Sequence, residues 1–139
     1  MYSAERLYRK LVEKYGTPLP YKKICSDEAI VLEKGDLGDG IHGVYCRTNG
    51  VSLIVLSSGI SHDERRDWGW HEMWHHFNCF EASMHYAVKE EKKATTFAAL
   101  CRVSTVTWNE TIASVVERCS VSPWIAKARI EFEAKKLNT

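Results

Sequence analysis

His71-Glu72-Met73-Trp74-His75 is the run in this chain whose residue types and spacing suit chemistry, because it matches the pattern H-E-x-x-H. On an α-helix, residues four apart share a face, so the imidazoles of His71 and His75 can bind one metal ion between them. Paired imidazoles suit zinc, which lowers the pKa of a bound water, and Glu72 then stands where a general base is needed. The implied chemistry is metal-dependent hydrolysis. With six histidines and thirteen glutamates in 139 residues, the pattern arises by coincidence in roughly one such sequence in fifty, a risk that every short motif carries. The run therefore needs companions, above all a third ligand.

Catalytic zinc takes three protein ligands and keeps its fourth position for water. Downstream of the motif, Glu81, His85, Glu90 and Glu91 carry suitable donors. If the motif helix ends near Phe80 and the next begins near Ala87, antiparallel packing brings positions 90 and 91 level with His75. Glu91 shares a stripe with Ala94, Ala98 and Cys101, which should face the motif helix, whereas Lys92 and Lys93 should point to solvent. Glu91 is thus the first candidate for the third ligand and Glu90 the alternative. Without the motif upstream, Glu90-Glu91-Lys92-Lys93 would read as an ordinary solvated charge run. His76 lies about 100° around the helix from His75 and is expected at the surface or as a hydrogen-bonded core histidine. His85 and Tyr86 fall in the connection beside the expected cleft, where either can hydrogen-bond a tetrahedral oxyanion, although packing of the loop explains them equally well. Cys79, four residues after His75, reads as a buried thiol rather than a ligand. His42 and His62 have no spacing argument.

The elements that must position these residues are legible in outline. Ala4, Leu7, Tyr8, Leu11, Val12 and Tyr15 recur at helical spacing, and Gly16 supplies a stop. Thr17-Pro18-Leu19-Pro20 cannot continue that helix and leads through an irregular connection to a short structural segment around Tyr21 to Asp27. Ala29 to Glu33, Ile41 to Arg47 and Val51 to Leu56 read as strands, the last two joined by Asn49-Gly50 in a tight hairpin. The strand Val51 to Leu56 offers an edge to which an extended substrate segment can add. Ser61-His62-Asp63-Glu64 has the form of a capping box and starts the motif helix near residue 62. A second core helix runs from Val88 to Arg102. Thr107-Trp108-Asn109-Glu110 is a second capping-box pattern expected to open another helix, and Ser122-Pro123 opens the last. The expected fold class is α+β: one domain over residues 1–139, a small antiparallel sheet packed on a helical core, and a C-terminal helix pair at about 109–136.

Composition bounds the function classes. A net charge of +1 with both signs interspersed gives no footprint for tracking a phosphate backbone, so direct nucleic-acid binding is not expected. The opening Met1-Tyr2-Ser3-Ala4-Glu5-Arg6 leads into a charged amphipathic segment, and no run is long and apolar enough to span a bilayer; a cytoplasmic location without membrane attachment is expected. Five cysteines, an odd number without a C-x-x-C pair, argue against a disulfide framework and against a cysteine zinc site.

From about Gly40 to Leu137 the chain resembles the ImmA/IrrE-type metallopeptidases. The resemblance rests on a strand pair, then Glu64-Arg65-Arg66-Asp67-Trp68-Gly69-Trp70 leading into the His-Glu-x-x-His run, then Glu91-Lys92-Lys93-Ala94-Thr95-Thr96-Phe97-Ala98, similar to that family's E-x-x-A-x-x-F-A signature. A closing Val115 to Ile130 segment is similar to the helix pair that ends many members. The resemblance implies a zincin-like α+β domain with zinc held by His71, His75 and Glu91 and with Glu72 in the catalytic position. Its members commonly accompany helix-turn-helix repressors on phages or mobile elements, and some cleave the repressor, which implies such a protein as substrate. The chain departs from the pattern at Trp74, where the family usually has glycine and where a bulky side chain would narrow the cleft or shift the neighbouring strand, and in Cys101-Arg102-Val103-Ser104, which lacks a proline. Two rival readings stand beside the peptidase: an interaction module that sequesters a regulator through a vestigial or structural metal site, and a DNA-binding helix-turn-helix over Thr111 to Glu131, whose second helix carries only Lys127 and Arg129 as basic residues.

Overall fold

Local signals near the N-terminus act as the spacing predicts. In a computed structural model of the chain, which describes residues 2–78 and 88–137, Ser3 Oγ accepts the Arg6 amide at 3.2 Å and caps α1 (Ala4–Tyr15). Gly16 ends that helix with φ 77°, a conformation open to glycine. Ala4, Leu7 and Leu11 form its buried stripe. The segment after the prolines is a short helix, α2 (Tyr21–Asp27), which buries Ile24 and Cys25.

Three strands follow: β1 (Ile30–Gly35), β2 (Gly43–Thr48) and β3 (Val51–Ser57). Asn49 and Gly50 take φ 52° and 78° and make the tight hairpin that pairs β2 with β3 antiparallel. The sheet as a whole is mixed, which corrects the antiparallel expectation: the order is β1-β3-β2, and β1 runs parallel to β3 with Ile30 opposite Ser52. The reason is that a two-residue turn dictates only its own pair. Once β2 occupies one side of β3, β1 takes the other, and its direction follows from the path of the connection over 36–42. A second correction comes with it. The strand 51–56 is central, so its hydrogen-bonding edges are both filled, and β1 and β2 are the edges. Ser52, Ile54 and Leu56 alternate onto the buried face.

The helical layer is built around α3 (His62–Asn78) and α4 (Val88–Arg102). The Ser61 hydroxyl accepts the Glu64 amide at 3.1 Å and donates to Glu64 Oε1 at 3.3 Å, so the expected cap starts α3. One side of α3 lies on β2 and β3, and another packs on α4, which also contacts α1 and α6. Trp70, Met73 and Trp74 of α3 meet Ala94, Phe97 and Ala98 of α4 in one core. Fully burying a side chain such as Phe97 or Met73 stabilises the fold by roughly 1.5–3 kcal/mol.

The C-terminal helix pair forms as α5 (Ile112–Cys119) and α6 (Pro123–Leu137), but the expected signal at Thr107 does not open it. Glu110 Oε1 accepts the Thr107 amide at 3.1 Å within a turn, and the cap of α5 is Thr111, whose hydroxyl accepts the Ser114 amide at 3.1 Å. Glu110 is instead held by a two-point ion pair with Arg118, at 2.8 and 2.9 Å. No helix among the described residues is long and apolar enough to cross a membrane.

Candidate metal centre

The helical spacing of the motif brings the His71 and His75 rings to 5.2 Å apart, centroid to centroid, on a buried face of α3. The antiparallel neighbour α4 supplies Glu91, which bridges the two: Oε2 lies 3.1 Å from His71 Nε2 and Oε1 lies 2.9 Å from His75 Nε2. The three side chains offer donor atoms all within 4.8 Å of one another, a set that can hold a metal ion. Zinc bound at about 2.0–2.2 Å with tetrahedral angles sets its donors roughly 3.3 Å apart, so the nitrogen-oxygen spacings here fit closure around an ion. Glu90, the alternative, turns to Lys93 Nζ at 3.4 Å, and Lys92 is exposed. His85, Tyr86, Cys79 and Glu81 lie outside the described residues.

Glu72 is buried beside the ligand pair, with Oε1 at 3.4 Å from His71 Nδ1. That nitrogen is buried without a hydrogen bond of good geometry. The room for Glu72 comes from Gly43 at the start of β2. A Cβ there would stand 3.2 Å from Glu72 Cγ and 3.3 Å from Leu56 Cδ2, tighter than ordinary contact. Gly43 is a positioning residue that sequence reasoning passed over.

Burial opposes charging of His71, but the carboxylates of Glu72 and Glu91 outweigh it and raise its pKa to about 9. Burial lowers the pKa of His75, against the pull of Glu72, and keeps that ring neutral. Glu91 is held below the usual carboxylate range, chiefly by its hydrogen bond to His71.

Three further contacts fix α3 around its axis. His76 is a hydrogen-bonded histidine, as expected: Nε2 lies 3.0 Å from Glu28 Oε1, and Nδ1 lies 3.1 Å from Ser52 Oγ and 3.3 Å from Tyr45 Oη. Ser52 is buried, so this group fastens the helix to the sheet rather than attacking a substrate. Tyr21 donates to the Gly69 carbonyl at 3.0 Å, and a Cβ at Gly69 would stand 2.9 Å from the phenol oxygen. A glycine inside a helical pattern was the available signal for that close approach. Asp67, fully buried one turn before His71, accepts Arg102 Nε at 2.7 Å and the Ser122 amide at 2.8 Å. It joins α3 to α4 and to the α5–α6 turn, a role no local sequence signal announced.

Trp74 is fully buried, and its indole packs tilted against Phe97 of α4 at 5.7 Å between centroids, inside the interface of the two core helices. Arg129, one of two basic residues in the helix-turn-helix reading, is also buried. It donates to the Val103 and Ser104 carbonyls at 2.7 and 3.0 Å beyond the end of α4, and to Glu133 at 2.7 Å. It is not available to a phosphate. In comparisons with known proteins, the chain matches no family model, no curated protein and no solved structure.

Proposed function

We propose that the chain is a zinc-dependent endopeptidase whose ion is held by His71, His75 and Glu91. The observation that carries the reading is the convergence of two imidazoles and one carboxylate from two helices, with a second buried carboxylate, Glu72, alongside. Zinc in such a set lowers the pKa of a bound water and polarises a carbonyl oxygen. Glu72 is the group that would take a proton from the attacking water and pass it to the leaving amine, serving as base and then acid. Gly43 keeps β2 close over Glu72, and β2 is also the sheet edge nearest the centre, where an extended polypeptide can add as a strand. On the resemblance to ImmA/IrrE-type peptidases, the substrate is a helix-turn-helix repressor or a similar regulator of a phage or mobile-element switch.

The test pairs wild type with Glu72→Gln against a repressor encoded beside the gene. Wild type with zinc is expected to cut it, and Glu72→Gln to keep stoichiometric zinc while losing cleavage by at least about a hundredfold. Cleavage retained by Glu72→Gln rules out this base. Tight binding of the partner by zinc-loaded wild type with no cleavage on prolonged incubation would favour the sequestering module instead.

A further inference from the structure

An open cleft of about 710 Å³ lies at the first turns of α3 and α6, separated from His71 by the rings of Trp68 and Trp124. One wall is a stack of rings: the centroids of His42 and Trp124 lie 5.3 and 4.6 Å from that of Trp68. Trp68 meets His71 edge-on at 5.1 Å, and Trp124 meets the same ring at 6.3 Å. The indoles that line the cleft therefore pack on the first metal ligand. Whatever seats against them lies one ring away from His71.

The remaining walls carry Asp63, Glu64 and Glu117, and among the described residues no lysine or arginine lines the cleft. Helix N-termini attract anions, and the two that open here each carry roughly half a positive charge. Three carboxylates outweigh them, and Asp63 and Glu64 stand in the first turn of α3, where they offset its dipole directly. The cleft is thus negative and aromatic. That combination holds a guanidinium or ammonium group, with the carboxylates meeting the charge and the rings covering the methylene stem.

We infer that this cleft is the side-chain subsite of the metal centre and takes a lysine or arginine side chain of the polypeptide presented there. The inference rests on the peptidase reading for the polypeptide, and on the cleft alone for the basic side chain. Its test uses blocked pentapeptides of alanine with a central arginine, norleucine or glutamate, bound to the zinc-loaded Glu72→Gln protein so that turnover does not enter. The arginine peptide is expected to bind about tenfold tighter than the norleucine peptide, and the glutamate peptide weakest. The combined variant Asp63→Asn/Glu117→Gln, checked by thermal unfolding to be folded, should bring arginine and norleucine within about twofold, and high salt should narrow the difference likewise. Equal affinity for the two peptides in the unaltered cleft, or a preference that survives the combined variant, overturns the inference. Cleavage is read separately with wild type: selective binding without cleavage would leave the subsite standing and remove the peptidase, and cleavage without selectivity would do the reverse.

Discussion

Glu91 lies against both buried imidazoles, and together with Glu72 it outweighs the burial of His71 and raises the pKa of that ring to about 9. Zinc held by His71 would have to displace the proton of that ring. Binding near neutral pH is expected to release about one proton and to strengthen about tenfold per pH unit until about pH 9, which calorimetry in buffers of different ionisation heat reads directly; an affinity flat across that range would contradict it. In the metal-free protein the same ring stabilises the fold. Its pKa is raised above the ordinary 6.5, so the contribution is complete below that value and is lost as pH rises through about 9. The lowered pKa of Glu91 acts from the other side, its contribution present above the ordinary carboxylate value and lost as pH falls. Replacing the bridge itself, Glu91→Ala, is expected to weaken zinc binding by more than about a hundredfold, measured by competition with a chelating dye. These residues were legible beforehand because ligands four apart on one helix, and an acid on the apolar stripe of the next, follow from helical periodicity.

Elements position the site through contacts that periodicity does not express. Arg102 and Asp67 form a buried ion pair with side chains 4% and 0% exposed, so neither charge can return to water if its partner is removed. Arg102→Met is expected to destabilise the protein by about 3–5 kcal/mol, read from the urea midpoint, because it strands Asp67 and also loses the Ser120 carbonyl contact. The cost at Gly43 is of another kind. Gly43→Ala crowds Glu72 and Leu56 by a few tenths of an ångström, so a cleavage rate reduced about tenfold with zinc binding intact is expected; loss of zinc instead would place the strain on His71. Asp67 stands in a charged stretch of the sequence, and nothing local distinguishes it from Asp63 four residues earlier. The antiparallel expectation for the sheet failed for a related reason. Asn49-Gly50 encodes one hairpin, whereas the partner of β1 is chosen by which edge of β3 remains open.

At the scale of the whole molecule, the centre is where the two core helices and β2 meet, so an ion held there would be coupled to the fold. Stripping zinc with a chelator is expected to lower the unfolding midpoint. At free zinc a hundred times its Kd the ion adds about 2.7 kcal/mol, or roughly 10 °C for a chain of this size. An unchanged midpoint would mean the ion binds folded and unfolded chains alike. The aromatic residues around the motif divide between two tasks that a sequence pattern cannot separate. Trp74 and Phe97 close the core, while Trp68 and Trp124 form a wall of the cleft beside His71. What the sequence alone determined is the helix, its start at Ser61, and the placing of His71 and His75 on one face with Glu91 opposite, all consequences of spacing within a few turns. Only the tertiary structure decided that Trp74 is buried against Phe97, that Gly43 makes room for Glu72 and that Asp67 joins α3 to α4 and to the α5–α6 turn. Those facts depend on which surfaces face each other across long stretches of chain, and that is set by packing of the whole core.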